Sequence, residues 1–357
     1  MSRPVISLGA RLTVVLALSF GLLELLVRWV GYVPWNAPNT HPNEPTILEP
    51  DPVLGWRNKP GTYVFPGYTD DARPITMTFW RDGSRATQPQ EEERRRILLL
   101  GDSFTQGFAV SDWETYAWQL QQRMPSVEIR NYGTAGYSTY QALLTLEERF
   151  RSGDQPRLVA YGFLGFHEIR NIAAFPWLLV LALRSHRGGV QVPYCLLDRR
   201  GALARHPPEG YPMWPFAKSS AAVVAAELLY ARIRGRNRVE QAQAVTELLL
   251  DEMRRSTEGH GSDFLVVFLT NDEQREHYRA RFDAEGTRYV DCSGSFLGNM
   301  VVAGEGHPDQ RAHARWAACL EQGLRALPAI SDAIKVTPEA AGLASESGET
   351  QGVPAER

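Results

Sequence analysis

The sequence predicts an α/β fold, a parallel sheet with helices on both faces, preceded by one membrane-spanning helix. Two observations carry this. From residue 97 onward, short continuous apolar runs alternate with stretches of helical pattern, and strands separated by helices build parallel sheets. Ahead of them, Leu12–Val33 (LTVVLALSFGLLELLVRWVGYV) is apolar throughout except for Glu24 and Arg28. As a helix it would rise about 33 Å, close to one hydrocarbon core.

Composition removes several alternatives. The chain has 357 residues, 43% hydrophobic and 22% charged, enough for one large domain or two small ones. Its 38 Lys and Arg against 41 Asp and Glu leave a net charge of −3, with no positive excess to neutralise phosphates, so no nucleic-acid partner is expected. Three cysteines, Cys195, Cys292 and Cys319, are too few and too scattered for a structural zinc site. One disulfide is the most they can form; Cys292 with Cys319 is conceivable, though no spacing requires it.

The elements follow in chain order. Arg3 and Arg11 precede the apolar span, and Trp29, Tyr32 and Trp35 gather at its far end. Positive charge before a span favours an inside N-terminus, and aromatics favour the headgroup zone. Glu24 and Arg28 stand i,i+4 and can pair on one helix face. A cleaved secretory signal and a buried core helix are the rival readings, and no clear small-x-small cleavage site follows the apolar run. Residues 1–35 therefore read as a membrane anchor. Residues 36–94, rich in Pro, Gly and isolated aromatics, read as an irregular stalk with short strands near Thr62–Phe65 and Thr76–Trp80. The charge run Glu91–Arg96 reads as a solvated lead-in to a strand.

The regular part spans 95–330. Strands are expected at Ile97–Leu100, Val127–Tyr132, Arg157–Phe163, Phe264–Thr270 and Tyr289–Cys292. Helices are expected at Glu114–Arg123, Thr139–Phe150, Val239–Arg255 and Gln310–Leu324. About 100 residues separate the third and fourth strands, more than a crossover needs, so residues 172–238 read as an insertion. It holds the apolar run Phe175–Leu183, too short to span a bilayer, and a Pro- and aromatic-rich loop, Pro207–Phe216. Residues 331–357 lack large apolar side chains over most of their length and read as a disordered tail.

Chemistry concentrates directly after the first buried strand, at Gly101-Asp102-Ser103-Phe104-Thr105-Gln106-Gly107. A Ser at the C-terminal end of a buried parallel strand sits at the mouth of the sheet, where α/β sites form. Gly101 permits a tight exit, and the following amides can face a developing oxyanion. A phosphate loop does not fit, because no Lys stands near Gly107. A G-x-S-x-G elbow is absent as well. From these residues alone, a nucleophilic Ser and a polar turn both remain open.

Four blocks in order carry a family resemblance: GDSFTQG; Asn131-Tyr132-Gly133-Thr134-Ala135-Gly136-Tyr137-Ser138; Gly165-Phe166-His167-Glu168; and Gly306-His307-Pro308-Asp309. Over about residues 50–325 the chain resembles the SGNH (GDSL-like) hydrolases. The upstream anchor and Gly83-Ser84-Arg85 are similar to membrane-tethered bacterial members. The resemblance implies a three-layer α/β/α fold of flavodoxin-like build. It implies Ser103 as nucleophile, His307 as general base, and an oxyanion hole from the amides of Ser103 and Gly136. Two positions depart from the pattern. His167 and Glu168 stand where the family has Asn and Asp, so His167 would be the third oxyanion donor. Gly304 stands where the orienting acid is usual, which leaves Glu305, or Asp291 elsewhere, or a Ser–His dyad.

The expected activity is that of a serine esterase or deacetylase working through a Ser103 acyl-enzyme on an acylated cell-envelope or extracellular glycan or lipid. The chain would be anchored in a bacterial inner membrane by one helix, with its catalytic domain periplasmic. An O-acyltransferase, an inactive glycan-binding protein and an assembly protein on the same fold are the alternatives. No metal or organic cofactor is implied; HExxH is absent.

Overall fold

The computed structural model describes residues 8–35, 47–69, 72–87, 95–184, 190–211 and 213–327. Arg3, residues 91–94 of the charge run and the 331–357 tail lie outside them. The chain divides into two compact units. One draws on Met1–Arg57, Ser138–Gln141 and Phe166–Leu250, the other on Asn58–Tyr137, Ala142–Gly165 and Asp251–Arg357.

The first unit opens with α1 (Leu8–Trp29). It ends four residues earlier than the hydropathy of Leu12–Val33 suggests, because Gly31 stops it. Gly31 takes φ +103, its N–H donates to Arg28 O, and Tyr32 N–H donates to Val27 O, the two bonds of a Schellman cap. The 22-residue helix is long and apolar enough to cross a membrane, and none of its most apolar stretch is buried. A core helix would be buried, so that alternative does not describe α1.

The 36–94 segment reads as an irregular stalk in sequence, yet its described residues pair into two small sheets: β1 (Leu48–Asp51) with β2 (Gly55–Asn58), and β3 (Gly61–Phe65) with β4 (Ile75–Phe79). In the β3–β4 hairpin Thr62 stands opposite Thr78 and Phe65 opposite Ile75.

The second unit holds a five-stranded sheet: β5 (Arg95–Leu100), β6 (Val127–Asn131), β7 (Leu158–Phe163), β8 (Asp263–Phe268) and β9 (Tyr289–Asp291). All four pairings are parallel, in the spatial order β9-β8-β7-β5-β6. Taking these five strands alone, the order is 2-1-3-4-5, the flavodoxin-like winding, with its switch point between β5 and β7. Side chains alternate across the sheet. Ile97, Leu99, Ile129, Ala160 and Val267 face one layer, built from α2 (Tyr116–Arg123) and α3 (Gln310–Arg325), with Trp316 fully buried at its centre. Phe163 and Phe268 point the other way, against Tyr278 and Phe282 of α4 (Arg275–Glu285). These are the three layers the sequence predicts. Thr115 caps α2 by accepting from Trp118 N, and Asp309 caps α3 by accepting from Arg311 N and Ala312 N.

Between β7 and β8 the chain adds α5 (His167–Asn171), α6 (Phe175–Arg184), an antiparallel hairpin of β10 (Gln191–Leu197) and β11 (Leu203–Gly210), and α7 (Ala221–Val239). The apolar run of α6 is half buried: Leu178 and Leu179 are inside and Val180 is exposed. The expected helix Val239–Arg255 is in fact α8 (Ala242–Gly259), because the chain turns at Glu240 and Gln241, where Gln241 N–H donates back to Arg238 O. Helix Thr139–Phe150 is observed as α9 (Thr139–Arg151).

Candidate active site

The site starts where β5 ends. Gly101 leaves the strand at φ +156, and a Cβ there would lie 2.3 Å from Thr105 Oγ1, so the exit admits only glycine. Asp102 is buried, and its carboxylate accepts from Phe104 N, opening a single helical turn over Ser103–Gln106. Gly107 closes that turn at φ +74. Ser103 thus sits on the first residue of the turn, at the carboxyl end of the sheet and beside its switch point.

The loop after β6 lies directly on this turn. Asn131 Nδ2 donates to Thr105 O (2.7 Å), Thr134 N–H donates to Gly101 O (3.1 Å), and a Cβ on Gly133 would meet Gln106 N at 2.3 Å. Gly136 follows with φ +81. Among the described residues, neither the Ser103 nor the Gly136 N–H is spent on another backbone group.

Arg85 anchors the same turn from below. It is fully buried, and every guanidinium nitrogen is engaged. Nε donates to Asp112 Oδ1 (2.8 Å), and Nη1 donates to the carbonyls of Gln106 and Gly107. Nη2 donates to those of Thr76 and Val110. Burial pulls its pKa down and the Asp112 charge opposes this. Asn58 adds a second brace: its Oδ1 accepts from Gln106 Nε2 (2.6 Å), and its Nδ2 donates to the carbonyls of Gly83 and Gly133.

His307 comes from a tight loop before α3. Asp309 N–H donates to Met300 O and Val302 N–H to His307 O, closing a short hairpin whose tip is Ala303–Gly306. Gly304 and Gly306 take φ +82 and +98. That tip turns Glu305 back onto His307: its carboxylate accepts from His307 N (2.7 Å) and meets Nδ1 at 2.7 and 2.8 Å. His307 Nε2 lies 2.9 Å from Ser103 Oγ. A carboxylate can only accept, so Nδ1 carries the proton and Nε2 is left to accept from the serine hydroxyl. Phe104 and Phe108 flank the imidazole at centroid distances of 5.8 and 4.9 Å, and the Glu305 side chain is only 15% exposed, which limits solvent screening of its charge beside the ring.

Ser103, His307 and Glu305 therefore meet in one hydrogen-bonded chain, with Gly136 in the same unit. His167 is fully buried at the start of α5, beside Phe166; it belongs to the other unit. Asp291, the alternative acid, is engaged elsewhere. It holds Arg275 Nη1 at 2.6 Å and accepts from Ser293 N and Oγ. Burial pushes its carboxyl up, but those bonds and the Arg275 and Arg279 charges outweigh it, so its pKa lies below the ordinary value. Gly304 cannot host the usual acid, because a Cβ at that left-handed position would lie 2.7 Å from Tyr68 O.

Two contributors escape a reading of the sequence. Arg85 is legible only as part of a short motif, since the carbonyls it gathers are scattered along the chain. His313 is buried on α3, and its Nδ1 accepts from Tyr116 N–H (3.3 Å). Burial first, then the nearby Arg85 charge, push it down to about 3 against the opposing pull of Asp309. Cys292 and Cys319 are joined, 5.7 Å apart at Cα, tying the end of β9 to α3 on either side of the His307 loop. Among the described residues no group of three or more His, Cys, Asp or Glu could hold a metal ion.

No family model and no curated relative matches the chain. Solved structures similar to it include a lipolytic G-D-S-L family protein from Veillonella parvula (16% identity, TM-score 0.36, 65% of this chain and 100% of that one). An inhibitor-bound aryl esterase from M. Smegmatis is similar at 12% identity and TM-score 0.39, covering 65% and 99%. The SGNH-hydrolase family esterase AlinE4 is similar at 17% identity and TM-score 0.31, covering 56% and 77%. At these identities and scores, none of them says what this chain does.

Proposed function

We propose that the chain is a serine ester hydrolase of the SGNH (GDSL-like) type. The Glu305–His307–Ser103 chain of hydrogen bonds at the mouth of a flavodoxin-like sheet carries this reading, because it supplies an activated nucleophile, a base and an orienting acid in one unit. Ser103 Oγ attacks the ester carbonyl carbon while its proton passes to His307 Nε2. Glu305 holds the Nδ1 proton and stabilises the imidazolium. The oxyanion is received by the N–H groups of Ser103 and Gly136. As the tetrahedral centre collapses, the C–O bond to the alcohol breaks and His307 returns its proton to the leaving oxygen. Water then attacks the Ser103 ester by the same route in reverse, releasing the acid and restoring Ser103.

The substrate class we assign is an acylated glycan or lipid of the cell envelope, reached by a catalytic unit held at the outer face of a bacterial inner membrane. α1 supports this by its length and apolar character, and Arg11 in its first turn, ahead of the apolar run from Leu12, favours an inside N-terminus. Labelling with a fluorophosphonate, alongside hydrolysis of p-nitrophenyl acetate, tests the chemistry. Wild type should label and turn over, and Ser103→Ala should do neither while keeping its near-UV circular dichroism. A Ser103→Ala protein that still labels removes Ser103 from the mechanism. Labelling with acyl transfer to a sugar hydroxyl in place of water would make the chain a transferase.

A further inference from the structure

α7 carries a surface that the catalytic reading leaves unused. Its N-terminal half, Ala221–Ala231, is apolar but for Glu227, Leu229 and Tyr230 within it being largely exposed; its C-terminal half carries Arg232, Arg234, Arg236 and Arg238 at every second position. At 100° per residue, Ala226, Leu229, Tyr230 and Ile233 fall within a single sector. All four are exposed, Leu229 by 60% and Ile233 by 67%. Arg232 and Arg236 flank that sector on one side and Arg234 on the other. An outward apolar stripe bordered by arginines is the pattern of a helix lying in a membrane interface.

The position of α7 relative to α1 makes the same point independently. Glu24, the one acidic side chain in the apolar helix, is the clasp. Its carboxylate accepts from Ala221 N (2.9 Å), Ala222 N (2.9 Å) and Ser220 Oγ (2.8 Å), and it also holds Arg28 Nε at 2.7 Å. The first turn of α7 is thereby fixed to α1 five residues before Trp29, roughly 7–8 Å along the helix axis from its end. Trp35 adds a second tie: its backbone N–H donates to Ala217 O, and its indole N–H donates to Glu227 Oε2 (2.7 Å). Phe216, 76% exposed, stands just before α7.

We infer that α7 is an interfacial helix, lying on the anionic lipid leaflet at the C-terminal end of α1, with Leu229, Tyr230 and Ile233 at the acyl boundary and Arg232, Arg234 and Arg236 on lipid phosphates. This rests on α1 spanning the membrane and is independent of the esterase chemistry. It also gives Glu24 a role within the apolar segment: the carboxylate is there to cap and hold the surface helix.

Nitroxide accessibility in the full chain, reconstituted into phosphatidylcholine–phosphatidylglycerol vesicles, tests it. Cys195 is buried and Cys292 and Cys319 are joined, so an introduced cysteine is the reactive thiol. Labels at Val15→Cys and Leu229→Cys should both relax with oxygen and be shielded from a water-soluble nickel chelate. Adding Arg232→Gln, Arg234→Gln and Arg236→Gln should move the Leu229 label toward water by about fivefold in partition per arginine and leave the Val15 label unchanged. A Val15 label in lipid with a Leu229 label in water overturns the proposal and leaves the span standing. A Leu229 label shielded from both reagents, as by a second copy or a protein partner, overturns it too. A Val15 label in water overturns the span and the proposal together, and fluorophosphonate labelling is unaffected in every case.

Discussion

Glu305 reaches its histidine because both of its neighbours are glycines in left-handed conformations, so the loop tip folds within three residues and the carboxylate meets the backbone and ring of His307 at once. Replacing it by Gln keeps the shape and removes the charge that stabilises the imidazolium. Glu305→Gln should lower kcat by as much as about 10⁴ with KM nearly unchanged, read from steady-state kinetics on p-nitrophenyl acetate; wild-type kcat would return the site to a dyad. Restoring an acid at the preceding position should fail. Gly304→Asp puts a side chain at φ +82 against Tyr68 O, a strain of about 1–3 kcal/mol, so urea unfolding should show a loss of stability with no gain in turnover. The candidates themselves were legible: Ser103 from its place after a buried strand, His307 from block order. What lets Glu305, and not Asp291, reach the His307 ring is backbone conformation at two glycines, which residue spacing alone does not encode.

The elements divide by how much of their signal is local. β5, β7 and β8 are continuous apolar runs and were readable to within two residues of their observed ends. α4 was not, because its buried face is only Tyr278 and Phe282, an i,i+4 pair inside a charged stretch. The β10–β11 hairpin was hidden by Pro207 and Pro208 within β11; a two-stranded ribbon tolerates them because one edge of each strand is unpaired, and the register slips between Val192 and Tyr194. The turn after β5 depends on a residue far from it. Arg85→Met would leave Asp112 buried without its cation and four carbonyls without their donor. A cost of about 3–5 kcal/mol is expected for breaking a buried pair in this way, measured by urea unfolding. The loss should exceed that of a surface arginine such as Arg236→Met, which is expected to stay within about 0.5 kcal/mol.

For the molecule as a whole, acid sensitivity has an identifiable source. His313 titrates near 3 when folded against 6.5 for an ordinary histidine. As pH falls, the unfolded chain takes up that proton first, so the stability His313 contributes is present above about pH 6.5 and drains away toward pH 3. Between about pH 7.5 and pH 5 the loss from this one group should be about 2 kcal/mol. His313→Gln, whose amide oxygen can still accept from Tyr116 N–H, should flatten the pH dependence of urea unfolding by that amount; an unchanged slope would place the sensitivity in other groups.

The link between Cys292 and Cys319 acts on the unfolded chain as well as the folded one. Residues 292–319 form a covalent ring closed through the two sulfurs, and both His307 and Glu305 lie on it. Closing a ring of that size removes about 3.5 kcal/mol of chain entropy from the unfolded state, so the segment bearing His307 and Glu305 is held to fewer conformations even when the chain is unfolded. A chain still in reducing surroundings has the same sequence and lacks that tether. A chain kept reduced should therefore unfold at lower urea than the oxidised one, which measures directly what the Cys292–Cys319 link contributes.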